Sequence, residues 1–330
     1  MGWLGSFSFF KIKETGILAL GLPILYVVNL IYVLFWLIIA RTKRNALVSG
    51  FILLLSLWIL PRFINISSEQ TQGKLKIITY NVKNFTPYKN IYNDEDIKVS
   101  TEQNNKMIAK QNPDIICFQE FNETNGKKIL QDYPYHISQP CLEGKYVREV
   151  AVVSKYPIIS HHNVMTEGMY ANNLIADIKV HDSIVRVFSV HLESLEYNPS
   201  TLNNIKDENT LKTETTDLYH RFTKGFYLHQ LQIDAIMQEV EKSPYPVILC
   251  GDFNNGAFSY EYARANDDLL DTFKEKGNGI VNTYHRIPFP TRIDNIFVSD
   301  TFEVNSYQVV NEKISDHFPV IASVTFRQKN

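Results

Sequence analysis

The sequence predicts an α/β (α+β) sandwich preceded by an N-terminal transmembrane hairpin, and three observations predict this arrangement. After residue 73, runs rich in Val, Ile and Phe recur along the chain, and several are apolar almost throughout, as in strands covered on both faces. Helical patterns lie between these runs, which favours a mixed α/β sandwich. Before residue 67, two apolar stretches dominate the chain. We therefore divide the 330 residues into a membrane anchor (1–66), a polar linker (67–73) and a globular domain (74–330).

The first apolar stretch, residues 16–40, has no ionisable side chain except Tyr phenols and is long enough to cross a bilayer as a helix. A secretory signal peptide is the competing interpretation. However, the run exceeds the usual apolar core of about 7–15 residues, and no small-residue cleavage site follows it. Pro23 lies inside this span, where it can kink a membrane helix without excluding it from the bilayer.

The second apolar stretch, residues 46–66, follows the basic link RTKRN and predicts a second span, with a buried helix as the alternative. The link contains three basic residues, Arg41, Lys43 and Arg44. They outnumber the basic residues near the outer end of either span. Because basic loops stay on the cytoplasmic side, we expect the link to be cytoplasmic. The chain is then an integral membrane protein whose globular domain is extracytoplasmic.

Nine strands are predicted in the globular domain from their β-branched and aromatic content. They cover residues 75–82, 115–119, 150–154, 174–180, 184–191, 247–250, 293–298, 304–310 and 320–326.

Two helices are predicted between the strands. Residues 100–111 start at a possible Ser cap and stop before Asn112 and Pro113. Residues 219–240 carry an apolar stripe that includes Phe222 and Phe226, which we expect to pack in the core rather than to form a binding groove. Residues 196–217 are polar without apolar periodicity, which predicts a long loop, either a lid beside the site or a disordered segment.

Polar side chains suited to chemistry recur where the predicted strands end. They are Asn81, Glu120, His191, Asp252, Asn254, Asp294, Asp316 and His317. Because α/β scaffolds place catalytic groups on loops at strand ends, the chain is predicted to be an enzyme.

In chain order, the segments ITYNV, CFQE, SVHLES, GDFN, RIDNIF and SDHFP resemble the motifs of the endonuclease/exonuclease/phosphatase superfamily. That superfamily includes pancreatic deoxyribonuclease, abasic-site endonucleases, neutral sphingomyelinases and inositol-polyphosphate 5-phosphatases. The resemblance covers residues 74–326. It implies a four-layer sandwich of two mixed β-sheets flanked by helices, with the site at one edge where strand ends meet.

A divalent metal is expected, because hydrolysis of a phosphate ester at neutral pH requires neutralised phosphoryl oxygens and an activated water. The candidate ligands are hard oxygens without Cys or clustered His, which favours Mg²⁺ or Mn²⁺ over zinc. Glu120 is the best ligand candidate, with the Asn81 amide beside it, and a structural carboxylate is the alternative for Glu120. The resemblance adds Asp316 as a contributor to metal or water positioning.

The resemblance also implies five catalytic residues. Asp252 would orient or deprotonate the attacking water and Asn254 would hold the phosphate, although an Asx turn capped by Asp252 also accounts for GDFN. His317 would contact the scissile phosphate, with Asp294 as the partner that fixes its tautomer. His191 would donate to a non-bridging oxygen or to the leaving group.

Charge bears on the choice of substrate. Residues 1–67 contain six of the 33 basic and one of the 35 acidic side chains, so the rest of the chain has a net charge of −7. A nucleic-acid-binding protein usually shows a basic balance or stripe. The sequence therefore favours a phosphoesterase acting on lipid-linked or small extracytoplasmic phosphate esters over one acting on duplex DNA.

Two alternatives remain, a surface or periplasmic nuclease and an inactive membrane-tethered binding module. The intact set of motifs argues against the inactive module. The expected partners are a phosphate-ester substrate (a lipid head group, a small molecule or a nucleic acid) and the lipid bilayer, with no obligate protein partner.

Overall fold

The computed structural model describes residues 15–39, 44–57, 60–67, 69–88, 92–143, 146–166, 173–195, 207–287 and 289–328. Their strands form two six-stranded sheets and one two-stranded sheet.

The first large sheet contains six strands. They are β2 (Leu75–Asn81), β3 (Ile115–Phe121), β4 (Tyr135–Glu143), β5 (Tyr146–Ser154), β13 (Phe302–Val309) and β14 (Val320–Phe326). Their order is β13-β14-β2-β3-β5-β4, and β2 and β3 are parallel while the other neighbours are antiparallel.

The second large sheet also contains six strands. They are β6 (Ile158–His162), β7 (Asn173–Val180), β8 (Ser183–His191), β9 (Val247–Asp252), β10 (Leu270–Asp271) and β12 (Asp294–Val298). Their order is β10-β12-β9-β8-β7-β6, and β8 and β9 form the parallel pair. All nine predicted strands are present within a few residues of their predicted ends, and the mixed sheets are confirmed.

Helices cover the outer face of each sheet. Helices α3 (Asp94–Gln111) and α4 (Glu123–Asp132) pack on the first sheet, and α5 (Glu208–Glu241) and α6 (Tyr260–Asp268) pack on the second. A central core fills the space between the sheets, and a further core lies under each helical layer. Helix, sheet, sheet and helix therefore form the four layers that the family resemblance implies.

The first helix of the described residues is α1 (Thr15–Ile38), which lies in the region predicted to be a membrane anchor. Residues Gly21–Ile38 have a mean hydropathy of 2.2, and none of this window is buried inside the structure. Among the described residues, α1 is the one helix long and apolar enough to cross a bilayer, and an N-terminal signal sequence meets the same criterion. The membrane position of α1 is taken up below as a proposal.

The second span, predicted at 46–66, differs from the structure. Helix α2 (Arg44–Ser56) packs against α1, but its 13 residues are fewer than the roughly 20 that cross a bilayer. The chain then forms a 3₁₀ turn (Leu60–Arg62) and strand β1 (Ile64–Ile66). Strand β1 is antiparallel to β11 (Asn278–Ile280) of the globular domain, so the end of the apolar stretch belongs to that domain. Arg41 and Lys43 of the basic link lie outside the described residues.

The chain from β1 to residue 73 is held against the globular domain. The sequence predicts a polar linker over 67–73 of this stretch. The side-chain amide of Asn65 donates to two carbonyl oxygens of α7 (Thr272–Lys276), at 2.8 and 2.7 Å. Further along, the Thr71 amide donates to the Asn305 carbonyl at 2.9 Å. We call residues 60–66 and 69–73 the seam, because hydrogen bonds join this stretch to the domain along its length.

A buried arginine ties the seam to the second sheet. Arg292 Nη2 donates to the Arg62 carbonyl oxygen and to Asp271 Oδ2, both at 2.9 Å. The guanidinium group also lies over the rings of Tyr262 and Phe273, 5.1 and 4.6 Å from their centroids. Because this charge is buried, its carboxylate partner is essential to the fold.

Helix α5 is longer than predicted and replaces half of an expected loop. Asp207 caps it, since its side chain accepts a hydrogen bond from the Thr210 amide at 2.8 Å. The loop predicted at 196–217 is therefore helical from Glu208 onward. Residues 196–206 lie outside the described residues, so a lid there stays a prediction.

Candidate active site

The site lies at one edge of the sandwich, where strand ends of both sheets meet. In the second sheet, Asp252 at the end of β9 pairs with His191 on the parallel strand β8 and with Asp294 on the antiparallel strand β12. In the first sheet, Asn81 ends β2 and Glu120 lies near the end of the parallel strand β3. The parallel pair in each sheet thus brings the polar ends of the predicted strands to a common edge.

Asn81 joins the two sheets through its side-chain amide. Nδ2 donates to Glu120 Oε1 at 3.2 Å and to Asp252 Oδ2 at 3.0 Å, while Oδ1 accepts from the Lys83 amide at 3.0 Å. Glu120 has a positive φ of 49°, a left-handed conformation that breaks the ladder of β3 with β5 just before Phe121. Two carboxylates from different sheets therefore converge on one amide.

Asp294 and His317 form the buried pair that the sequence predicts. His317 Nδ1 lies 3.0 Å from Asp294 Oδ2 and 3.2 Å from Oδ1, and both side chains are buried. Thr283 fixes the strand that carries Asp294, because its hydroxyl oxygen accepts from the Ile293 and Asp294 amides at 3.0 and 3.1 Å. With Nδ1 paired to Asp294, the other ring nitrogen, Nε2, is turned to Asp252 Oδ2 at 3.6 Å.

The buried charged groups of the site change one another's pKa values. Burial alone would lower the pKa of His317, but the carboxylates of Asp294 and Asp252 outweigh it and raise that pKa to about 10. Burial raises the pKa of Asp252, with His317 acting against this rise and Asp294 adding to it. His317 is therefore an imidazolium at neutral pH, able to donate from Nε2 to an anionic oxygen.

His191 completes the ring of polar groups from the far side of Asp252. Its Nε2 lies 3.8 Å from Asp252 Oδ2 and 4.0 Å from Glu120 Oε1. The Nε2 atoms of both histidines therefore face the same carboxylate oxygen, Asp252 Oδ2.

The GDFN segment folds back against β8 in a way that requires glycine. Gly251 has φ +153°, and a Cβ there would lie 1.9 Å from the Val190 carbonyl oxygen. Asn254 has φ 50°, its amide donates to Asp252 Oδ1 at 2.8 Å, and its Nδ2 donates to the Leu192 carbonyl at 2.8 Å. The Asx turn is therefore formed and Asn254 lines the pocket, while the contact of Asn254 with a phosphate stays a prediction.

Asp316 is surrounded by cations. Its Oδ2 lies 3.0 Å from Arg286 Nε and 3.7 Å from Lys83 Nζ. Burial would raise the pKa of Asp316, but His317, Lys83 and Arg286 together lower it. The metal-ligand role of Asp316 stays a prediction, and in this structure the carboxylate holds two basic side chains beside the pocket.

These groups line one pocket of about 430 Å³. All the predicted site residues reach it except Asn81 and Asp294, which lie directly behind its lining and contact it through Glu120, Asp252 and His317. The ring of Tyr284 lies 4.8 Å from that of His317. A further set of lining side chains is apolar and comprises Leu195, Phe222, Ile287, Phe289 and Ile293.

The donor set fits a hard divalent cation. Glu120 Oε1 and Asp252 Oδ2 both lie within 3.2 Å of Asn81 Nδ2, so two carboxylate oxygens already converge on one point. A turn of the Asn81 amide would present its oxygen there as a third hard ligand. Asp252, Asp294 and His317 also cluster within 4.8 Å, but both Asp294 oxygens are committed to His317.

Several residues of the site were not predicted from the sequence. Lys83 could have been found, since it follows Asn81 by two residues and Asn81 Oδ1 accepts its amide. Arg286 gave no signal, because only the fold places it on Asp316. Phe222 was predicted to pack in the core, whereas it lines the pocket and its neighbour Phe226 is buried.

Comparison with known proteins identifies a family. The model of the family described as "Endonuclease/Exonuclease/phosphatase family" matches residues 78–317, which contain every predicted site residue. No curated protein sequence matches the chain significantly.

Solved structures share the fold at low sequence identity. The mannosyl-6-phosphatase Bt3783 of Bacteroides thetaiotaomicron has a TM-score of 0.56 at 16% identity, over 77% of this chain and 100% of its own. The catalytic domain of human Nocturnin has a TM-score of 0.55 at 14% identity, over 78% and 96%. A humanized D. rerio TDP2 has a TM-score of 0.53 at 15% identity, over 76% and 98%. At such identities these structures show the common fold alone.

Proposed function

Because the chain belongs to the endonuclease/exonuclease/phosphatase family, we propose that it is a membrane-anchored phosphoesterase that requires Mg²⁺ or Mn²⁺. It hydrolyses phosphodiester or phosphomonoester bonds, and its preferred substrates are lipid-linked or small extracytoplasmic phosphate esters. The observation that carries this proposal is the buried Asp294–His317 pair, which holds the His317 imidazole 3.6 Å from Asp252 at the pocket that Glu120 lines.

Each side chain has a distinct part in the reaction. Glu120 and Asn81 would hold the cation, with Asp252 close by, and the cation would supply neutralisation of the phosphoryl oxygens. Asp252 orients the attacking water and accepts its proton, because burial raises the pKa of this carboxyl toward that of a general base. The water oxygen forms a bond to phosphorus as the bond from phosphorus to the alcohol oxygen breaks.

Cationic and donor groups stabilise the charge that develops in this step. His317, held as an imidazolium by Asp294, donates from Nε2 to a phosphoryl oxygen. His191 donates to a second oxygen or to the departing alkoxide, which leaves as the alcohol once it has a proton. Lys83, on the pocket wall, adds positive charge for an anionic substrate.

Two features support the membrane and substrate parts of the proposal. Helix α1 is exposed along its apolar length, and the seam holds the chain that follows α2 against the globular domain. The net charge of −7 after residue 67 disfavours binding of duplex DNA.

A substrate panel tests the proposal. The full chain, purified in detergent with Mg²⁺ or Mn²⁺, is assayed on plasmid DNA, RNA, sphingomyelin, phosphoinositides and p-nitrophenyl phosphates. We expect hydrolysis of a lipid or small ester to exceed that of DNA, and His317→Ala to lower the rate by about 10²-fold or more. His220→Ala is the matched control, because this histidine is exposed on α5 outside the pocket. Turnover of DNA alone would favour the nuclease alternative, and no turnover of any ester with either metal would overturn the proposal.

A further inference from the structure

The lining of the pocket contains two chemically different sets of side chains. Carboxylates, histidines and Lys83 form one set, which we call the polar half, and five apolar side chains form the other, which we call the apolar half. We call Leu195, Phe222, Ile287, Phe289 and Ile293 the apolar wall. Phe289 is 39% exposed, so this wall reaches from the buried site to the surface. A phosphate and its metal use only the polar half, which leaves the apolar wall without a role in the chemistry described above.

The apolar wall is held in place from behind. Leu195 packs so closely on α5 that a Cβ added to Gly225 would lie 2.6 Å from Leu195 Cδ2. The chain before Leu195 is fixed at Glu193, whose amide donates to Gln232 Oε1 at 2.9 Å and whose carbonyl contacts His229 Nε2 at 2.5 Å. Because both partners lie on α5, which also carries Phe222, this side of the wall is formed before a ligand arrives.

The apolar wall also lies next to the membrane anchor. Ile293 of the wall and Thr291 line the pocket, while Arg292 between them donates to the Arg62 carbonyl in the seam. A second connection starts at Asn255, which lines the pocket. Phe258, three residues further along the chain, contacts Phe63 of the seam, with 6.1 Å between ring centroids. Arg292 and Phe258 thus connect the chain segments that line the pocket to the segment that follows α1 and α2.

We propose that the apolar wall binds the alcohol part of the substrate, and that this alcohol carries an apolar chain or ring. This inference rests on the proposed function, because it assigns the phosphate to the polar half. Burial of apolar surface against Phe222 and Leu195 supplies affinity that a sugar alcohol, which has little apolar surface, cannot obtain there. The five wall residues then determine specificity, and His317 and its neighbours act on whichever ester the wall holds.

Binding of non-hydrolysable phosphonates tests the wall independently of turnover. Methyl-, butyl- and hexylphosphonate are titrated calorimetrically into the full chain in nanodiscs with Mg²⁺. We expect the affinity to rise with chain length, by up to about fourfold for each methylene that becomes fully buried. An affinity that is independent of chain length would overturn the inference.

Two variants and one control locate the effect. Phe222→Ala is expected to reduce the hexyl-to-methyl affinity ratio by about tenfold. Gly225→Ala pushes the flexible end of Leu195 toward the pocket and should weaken hexylphosphonate while sparing methylphosphonate. Tyr219→Ala on the same helix is the matched control, because Tyr219 is 45% exposed and outside the pocket lining. A ratio unchanged in both variants, or equally reduced in Tyr219→Ala, would refute the role of the wall.

Hydrolysis assays then separate the two sources of such an ester. Phosphatidic acid in a nanodisc and soluble hexyl phosphate, each with its methyl diester, are compared with glycerol phosphate. Hydrolysis of the bilayer-held ester identifies a lipid, and hydrolysis of the hexyl ester alone identifies a soluble apolar alcohol. Preference for glycerol phosphate would overturn the inference while leaving the proposed function intact. Chain-length-dependent phosphonate binding without turnover of any ester would instead refute the proposed function and keep the apolar site.

Discussion

Replacement of Asp294 by Asn should disable His317 without removing it. The carboxylate lies 3.0 Å from His317 Nδ1 and is fully buried, so no water can replace it. It is the foremost of the groups that raise the pKa of His317 against the effect of burial, from 6.5 to about 10. An Asn side chain keeps the shape but loses the charge, so the imidazole should lose its proton well below pH 10.

The raised pKa sets the size and direction of the effect. Because the folded pKa exceeds the ordinary value, the stabilisation is fully present below pH 6.5 and is lost as the pH rises toward 10. At pH 7 a shift of this size corresponds to roughly 4 kcal/mol of folding free energy, from about 1.4 kcal/mol per pKa unit. Asp294→Asn should remove a large part of this stabilisation and lower the rate of ester hydrolysis by about 10²-fold.

Three measurements test this prediction. Steady-state hydrolysis of p-nitrophenyl esters gives the rate, thermal unfolding gives the stability, and ¹⁵N-histidine NMR of metal-free protein gives the titration of His317, assigned with His317→Ala. Asp177→Asn is the matched control, because Asp177 is also buried and bound by a cation, Arg186, at 2.7 and 2.9 Å, but lies outside the pocket. The Asp177→Asn variant should lose stability and should hydrolyse the esters at the wild-type rate.

The double variant of Asp294 and His317 completes the test. If the two act as one unit, Asp294→Asn should add little to the loss already caused by His317→Ala. The reasoning is refuted if Asp294→Asn keeps more than about a tenth of the activity, or if the pKa of His317 stays near 10 without the carboxylate.

The remaining predictions concern the metal, the fold and the topology. Exhaustive chelation should abolish turnover and Glu120→Gln should raise the Mg²⁺ concentration needed for half activity, and full activity after chelation would contradict the metal assignment. Asp271→Ala leaves the buried Arg292 guanidinium without its carboxylate and should cost about 3–5 kcal/mol of stability in thermal unfolding. Asn65→Ala removes two hydrogen bonds between seam and domain and should cost about 1–3 kcal/mol by the same measurement, with an unchanged melting temperature as the contrary result. A membrane-impermeant maleimide should label Tyr219→Cys in intact cells if the domain is extracytoplasmic, and labelling only after lysis would place it in the cytoplasm.

The sequence predicts the central strands well because each is apolar on both faces and ends abruptly in polar residues. The edge strands β4 and β6 lack this apolar pattern. Strand β6 contains His161 and His162 and is exposed along most of its length, and β4 contains Pro140, which is tolerated at a sheet edge. Such strands are ordered by pairing with a neighbour, which a single segment does not reveal.

The site was predictable wherever a side chain ends a central strand. Asp252, Asp294 and His191 share one edge because their strands are adjacent in register. The positions of Lys83 and Arg286 depend instead on tertiary contacts with Asp316. Phe222 shows a second limit, since a stripe of helical period locates a buried face but does not separate core positions from a pocket wall.

The seam decides how the enzyme can search for substrate. If α1 spans a bilayer as proposed, a free polar tether would let the catalytic domain swing and sample a volume around its anchor. Hydrogen bonds along residues 60–66 and 69–73 remove that freedom from this stretch, so the domain and its pocket are held close to the end of α2. Encounter with an ester in the same membrane then depends on lateral diffusion of the two molecules. An ester attached to a neighbouring membrane or to a distant surface polymer would stay out of reach.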